Sequence, residues 1–239
     1  MKAIILAAGR GSRMGSLTAD QPKCLTVVHG KSLIEHQINA LSEAGIKEIA
    51  IVTGYKSEML RSYGTYHFHN PRWEETNMVS SLLCAKEWLD ESDCIVSYSD
   101  IFYGSQIIKD LIACKDDIAI AYDPNWLELW SKRFKNPLDD AETFRIDDNG
   151  FVTEIGQKAS SVEEIQGQYM GLLRFKKGIF LNCTKKNSDE VLEKIDMTNF
   201  LCKLIQSAFK IIGIVNIELW GECDNQQDVF IVDQYMVSQ

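Results

Sequence analysis

Apolar and polar positions along this chain follow two rhythms. Residues 2–7, KAIILA, read as a strand buried on both faces, and the apolar run stops abruptly at Gly9. Residues 32–44 return apolar side chains at a spacing near 3.6, which predicts a helix ended by Gly45. A strand over 48–52, a short helix over 57–63 and a short strand over 66–69 follow. The pattern then predicts a helix over 77–89 with Thr76 or Asn77 as cap. Residues 94–98 read as a strand running into Asp100, 106–114 as a helix and 118–122 as a strand. Strands alternating with helices predict a mainly parallel sheet covered on both faces.

After residue 140 the rhythm changes. Residues 143–146, 152–155 and 169–175 look like strands, with a turn at Asn149–Gly150. A helix near 196–209, a strand at 211–217 and a closing helix near 226–236 complete the chain. No linker, repeat or low-complexity tract interrupts residues 1–239, so a single mixed α/β domain is expected.

Composition narrows the function classes. With 45% apolar residues in 239, the chain can bury a sizeable core. The net charge of -9, without a Lys/Arg cluster, argues against a nucleic-acid partner. A phosphate ligand would need a few local cations and a divalent metal. The seven cysteines form no C-x-x-C pair, which argues against a zinc ribbon or redox motif and for reduced thiols. The opening apolar run is too short for a signal peptide, and no stretch approaches the roughly 20 apolar residues of a membrane helix. A cytoplasmic protein without membrane insertion is expected.

The segment after the first strand carries the chemistry. Gly9 and Gly11 let successive backbone N–H groups face one concavity, which suits a phosphate. A dinucleotide loop G-x-G-x-x-G fails at Met14, and no Lys follows to make a Walker A loop. A plain strand-to-helix turn with surface arginines is the competing reading. Arg10 and Arg13 beside the loop, then Pro22-Lys23, favour the phosphate.

Leu6 to Met14, followed by Pro22-Lys23-Cys24-Leu25, resembles the L-A-A-G-x-G-[S/T]-R-[M/L] and P-K-x-L signature of nucleotidyltransferases that join a nucleoside triphosphate to a phosphorylated small molecule. The resemblance implies a Rossmann-like α/β/α sandwich with a mostly parallel mixed sheet, of the GT-A-like kind. It implies that Leu6, Ala7, Ala8, Gly9, Gly11 and Ser12 wrap the triphosphate. It also implies that Arg13 binds the phosphates and that Lys23 lies near the α-phosphate as a catalytic cation. Arg10 occupies a variable motif position and stays peripheral. The nucleotide part would span about 1–115 and the acceptor part about 116–239.

Such chemistry calls for a divalent cation, here Mg2+, to neutralise charge on the α-phosphate. Asp100 ends a strand at the edge where open α/β sheets bind ligands, although a strand-end Asp can also cap a turn. The family's late W-x-x-x-D-[T/N]-x-x-D pattern fits Trp220, Asp224, Asn225 and Asp228 and implies Asp224 as second metal ligand. Glu222 competes with Asp224 for that role. Asp228 reads as a carboxylate favoured by a helix N-terminus.

The Q-x-x-P-x-G-[L/T]-A segment of the sugar-phosphate branch is replaced by residues 73–82, WEETNMVSSL. In this the chain looks like the short cytidylyltransferases for choline phosphate, 2-aminoethylphosphonate and phosphoglutamine. Asn77 and Ser81 would then face the nucleotide or the metal, while also fitting an ordinary capped helix. Trp126 and Trp130 share a helix face, as core packing or as a wall of the acceptor pocket. In the second reading aromatics and Asp hold an ammonium group and Arg133 grips a phosphate or carboxylate. Lys158 is the expected partner of the acceptor phosphate. Gly171 and, more weakly, Asp196 and Thr198 fall in segments resembling the acceptor region. His67 and His69 share a strand face without completing a metal triad.

The expected reaction transfers CMP from CTP to the phosphate or phosphonate of a small zwitterionic acceptor and releases pyrophosphate, for surface polysaccharide decoration. Basic residues beside Trp130 favour an amino-acid-like acceptor. The alternatives are a sugar-1-phosphate uridylyl- or thymidylyltransferase and a non-catalytic nucleotide-sensing domain.

Overall fold

Alternate residues of the first strand enter different cores. Ala3, Ile5 and Ala7 pack with the helices Leu33–Glu43 and Ser105–Ala113. Ile4 and Leu6 pack with Met78–Leu83 and Met197–Gln206 on the other face. A strand that is apolar at every position after Lys2 therefore becomes part of the middle layer of three. The structure, a computed structural model, describes residues 1–237, with side chains to residue 234.

Seven strands form the sheet: β1 (Lys2–Ala7), β2 (Ile49–Thr53), β3 (Tyr66–His69), β4 (Cys94–Tyr98), β5 (Ile118–Asp123), β6 (Gln168–Phe175) and β7 (Ile212–Val215). Their order is β7-β5-β6-β4-β1-β2-β3. β6 pairs antiparallel with both β5 and β4, and the remaining neighbours are parallel. This is the mostly parallel mixed sheet, covered on both faces, that the alternation of elements predicted. The strands Glu142–Ile146 and Val152–Lys158 pair with each other as a separate hairpin. No helix among the described residues is long and apolar enough to cross a membrane.

Three local expectations change. Residues 77–89 form two helices, Met78–Leu83 and Lys86–Glu91, because the chain turns at Ala85 and so delivers both Leu82 and Trp88 to the same core. Residues 57–63 form only a 3-10 turn, Ser57–Leu60. The hairpin strand expected to end at 155 continues to Lys158. The first long helix begins as its sequence suggests: the Glu35 carboxylate accepts the Ser32 backbone N–H at 2.7 Å.

Candidate active site

β1 and β4 are parallel neighbours, so the loops leaving their carboxyl ends meet. The first is the glycine loop. Gly11 adopts φ +68°, and a Cβ there would lie 2.7 Å from the Lys23 Cβ, so glycine is what lets the lysine stem lie against the loop. The second is the turn carrying Asp100. Gln37, fully buried, donates from Nε2 to the Tyr98 and Ile101 carbonyls at 2.9 and 2.6 Å and fixes that turn. The two-residue strand Gly221–Glu222 then pairs with Ile101–Phe102, and the Cys223 N–H donates to the Asp100 carbonyl at 2.9 Å. That pairing carries Asp224 to Asp100.

Lys23 Nζ stands between the two carboxylates, 2.7 Å from Asp100 Oδ2 and 2.7 Å from Asp224 Oδ1. Burial alone would pull the Lys23 pKa down, but Asp100 and Asp224 more than offset it, so the ammonium is held above its ordinary range. Asp224 is buried too, yet Lys23, Arg13 and Arg133 hold its pKa below the usual carboxylate value. Arg13 Nη2 lies 2.8 Å from Asp224 Oδ1, with most of its side chain exposed. Oxygens of Asp100, Glu222 and Asp224 all fall within 4.8 Å of one another. Glu222 and Asp224, weighed as competitors for one role, thus belong to one cluster. Burial and the neighbouring Asp224 push the Glu222 carboxyl above its usual range. Asp100 Oδ1 is buried without a hydrogen-bond partner among the described residues. An orphaned carboxylate oxygen in an all-oxygen cluster is the donor set that a hard divalent cation takes.

Two cavities meet at this cluster. The first is lined by Leu6, Ala8, Gly9, Gly11, Ser12, Arg13 and Lys23 from the loop side, and by Asn77, Ser81 and Asp100 across from it. Ala7 does not reach it, since its side chain points into the opposite core. Asn77 caps its helix, its Oδ1 accepting the Met78 N–H at 2.8 Å, and still faces the cavity. Trp73, Thr76, Tyr98 and Ser99 also line it. Sequence reading did not assign these four to the site, although Tyr98 stands only two residues before Asp100.

The second cavity shares Arg13 and Tyr98 with the first. Its wall includes Trp130, Asp140, Glu142, Tyr169, Gly171 and Thr198, with Glu222 and Asp224 at the junction. Among its lining residues Arg13 is the one cation. The rings of Tyr98 and Tyr169 meet edge to face at 5.8 Å. Gly171, at φ +75°, lets the Tyr98 ring pass, since a Cβ there would come within 2.6 Å of it. Gln168 pins the Glu142 backbone, donating to its carbonyl at 2.6 Å and accepting its N–H at 3.2 Å. Burial first, then the charges of Asp196 and Asp140, push the Glu142 carboxyl up to about 7.

Four acceptor expectations are corrected. Arg133 grips no ligand: it is enclosed by Glu222, Asp224 and Asp228, with no exposed side-chain surface. Trp126 is core, its indole N–H donating to the Ile165 carbonyl at 3.3 Å. Lys158 lies in solvent at the far end of the hairpin, past an irregularity in its pairing, and lines neither cavity. Asp196 caps the helix Met197–Gln206, accepting the Asn199 N–H at 2.7 Å, and Thr198 takes the place at the wall. His67 and His69 are structural, beside the Leu60 carbonyl at 3.0 Å and the Thr53 hydroxyl at 3.2 Å.

Comparison with known proteins agrees with this architecture. Residues 3–148 match the model of the MobA-like NTP transferase domain. The chain is 45% identical over 185 residues to the CTP:phosphoglutamine cytidylyltransferase of Campylobacter jejuni, covering 73% of each. It is 41% identical over 106 residues to the choline-phosphate cytidylyltransferase of Streptococcus pneumoniae, covering 43% of this chain and 46% of that protein. A solved structure of the CTP:phosphocholine cytidylyltransferase from Streptococcus pneumoniae superposes with a TM-score of 0.74 at 22% identity, covering 98% of both chains.

Proposed function

The chain belongs to the MobA-like NTP transferase family, and from that premise we propose that it transfers CMP from CTP to a small phosphorylated or phosphonate acceptor bearing an ammonium group. The observation that carries this reading is the seam between the cavities. Lys23 and Asp100 line the glycine-loop side, Glu222 and Asp224 line the other, and Lys23 ties them together. One side would take the triphosphate and the other the acceptor, with the reacting phosphorus at the seam. The cytidylyl choice rests on the relatives named above. The acidic wall of Asp140 and Glu142 beside Tyr98, Tyr169 and Trp130 suits an ammonium group on the acceptor. The amino-acid-like preference is supported by the phosphoglutamine relative at 45% identity, although Arg133, already engaged, does not supply its cation.

In the proposed step an ionised oxygen of the acceptor's phosphate or phosphonate attacks the α-phosphorus of CTP. The new phosphorus–oxygen bond forms as the bond to the bridging oxygen breaks, and pyrophosphate leaves with the electron pair. The nucleophile is already ionised near neutral pH, so no general base is needed. Lys23, held charged by two carboxylates, serves as a fixed cation for the α-phosphoryl oxygens rather than as a proton carrier. Arg13, exposed and adjacent, is placed to take the departing phosphates. Asp100, Glu222 and Asp224 would hold a divalent cation, Mg2+ by donor chemistry, which neutralises phosphate charge when bound. Positioning and charge neutralisation do the rest.

The test is pyrophosphate release from CTP, UTP, dTTP and ATP, each with phosphocholine, 2-aminoethylphosphonate, L-glutamine phosphate and glucose 1-phosphate. Turnover is expected with CTP and an amine-bearing acceptor. Turnover confined to UTP or dTTP with the sugar phosphate would replace this reading with the uridylyl- or thymidylyltransferase one.

A further inference from the structure

A guanidinium with no exposed surface sits behind the downstream carboxylates. Arg133 ends the helix Trp126–Arg133, whose Trp130 borders the acceptor cavity. The guanidinium closes as a fork on Asp228, with Nε 3.0 Å from Oδ1 and Nη2 3.1 Å from Oδ2. Its remaining reach goes to the cluster: Nη1 is 3.0 Å from Glu222 Oε2 and Nη2 is 3.4 Å from Asp224 Oδ2. Asp228 is itself fully buried and accepts the Asp224 and Asn225 backbone N–H groups at 2.9 and 3.2 Å. The two oxygens of Asp224 therefore divide their work. Oδ1 faces Lys23 and Arg13, while Oδ2 is held from behind.

A fixed positive charge behind a metal site does not help attract a cation. What a rigid planar fork supplies is orientation. We propose that Arg133 is a positioning residue whose fork, locked by Asp228, aims Glu222 and Asp224 toward Asp100 for divalent-cation binding. The proposal rests on the reading of Asp100, Glu222 and Asp224 as the metal site.

Arg133→Lys separates orientation from charge, because it keeps the cation and removes the fork. Mn2+ titrated into the full chain, with free ion followed by electron paramagnetic resonance, reads the site without turnover. Arg133→Lys is expected to weaken Mn2+ binding about 10- to 100-fold, while CTP affinity measured without metal stays at the wild-type value. A purely structural role would lower the melting temperature and leave the Mn2+ affinity of the folded protein unchanged. That result overturns the proposal. If Arg133→Lys does not fold, Asp228→Asn, which unlocks the fork and keeps its shape, replaces it: weaker Mn2+ binding supports the proposal and unchanged binding overturns it. A wild-type chain that binds no Mn2+ would instead remove the metal-site reading on which the proposal stands.

Discussion

Lys23 and Asp224 are 201 positions apart in the chain and 2.7 Å apart in space. With Asp100 they close a bridge across the mouth of the sheet. Lys23→Ala is expected to lower CMP transfer about 10²- to 10³-fold, the cost of losing one fixed transition-state donor, with circular dichroism unchanged. The two carboxylates it leaves uncompensated should also make Mg2+ raise the melting temperature more in Lys23→Ala than in the wild type. Near-normal turnover would remove Lys23 from its assigned role.

Glu142 provides a pH signature. Its carboxyl is raised from 4.5 to about 7 in the folded chain. Between those values the folded state holds a proton that the unfolded state has released, so stability should fall as pH rises through this window. Glu142→Gln should flatten that slope in urea titrations at pH 5, 6, 7 and 8. With an ammonium-bearing acceptor, kcat/KM should rise as Glu142 ionises, and the substitution should remove that part of the limb. Parallel pH profiles for the two proteins would count against Glu142 as the ammonium partner.

Gly11→Ala tests the contact between loop and lysine. The new Cβ would meet the Lys23 stem at 2.7 Å and sit at φ +68°. The left-handed backbone costs about 1–2 kcal/mol for a residue with a Cβ. Displacing the ammonium should lower kcat by roughly tenfold or more with acceptor KM little changed. Steady-state kinetics with each substrate varied in turn would check it.

Trp126→Ala tests the assignment of that side chain to the core. It should cost about 3–5 kcal/mol of stability, read by chemical denaturation, and leave both substrate KM values near wild type below the melting transition. A selective rise in acceptor KM would return Trp126 to the pocket wall.

Most of the elements and many residues lining the glycine-loop cavity were legible because their signals are local. A six-residue apolar run, a strand-end Asp and a proline-anchored lysine each carry meaning within a short window. Asp224 was legible only through its resemblance to a family pattern. The second cavity was only partly legible, through Trp130, Gly171 and Thr198, for the opposite reason. Whether Arg133 grips a ligand or a carboxylate is decided by Glu222, Asp224 and Asp228, which lie 89 to 95 positions away. Lys158 lost its place to an irregular strand pairing, and Trp126 to the indole contact with Ile165. Glu142 gained its place from Gln168, which is 26 residues on. None of these leaves a trace in spacing or periodicity.

The reversed strand β6 has a consequence for how such a chain can be altered. Because it runs against its neighbours, it enters the sheet at the edge where the parallel strands leave it. The hairpin of residues 142–158 precedes it; its two strands pair with each other, and its turn joins the edge strand β7 through the isolated bridge of Phe151 to Ile212. The hairpin is therefore an insertion between two sheet strands that brings Glu142 to one wall of the second cavity, while Tyr98, Tyr169 and Gly171 come from the sheet, and the glycine loop and Lys23 belong to the opening elements. Under the proposed function, that one wall can be rewritten to suit another acceptor while the glycine loop and Lys23 stay as they are.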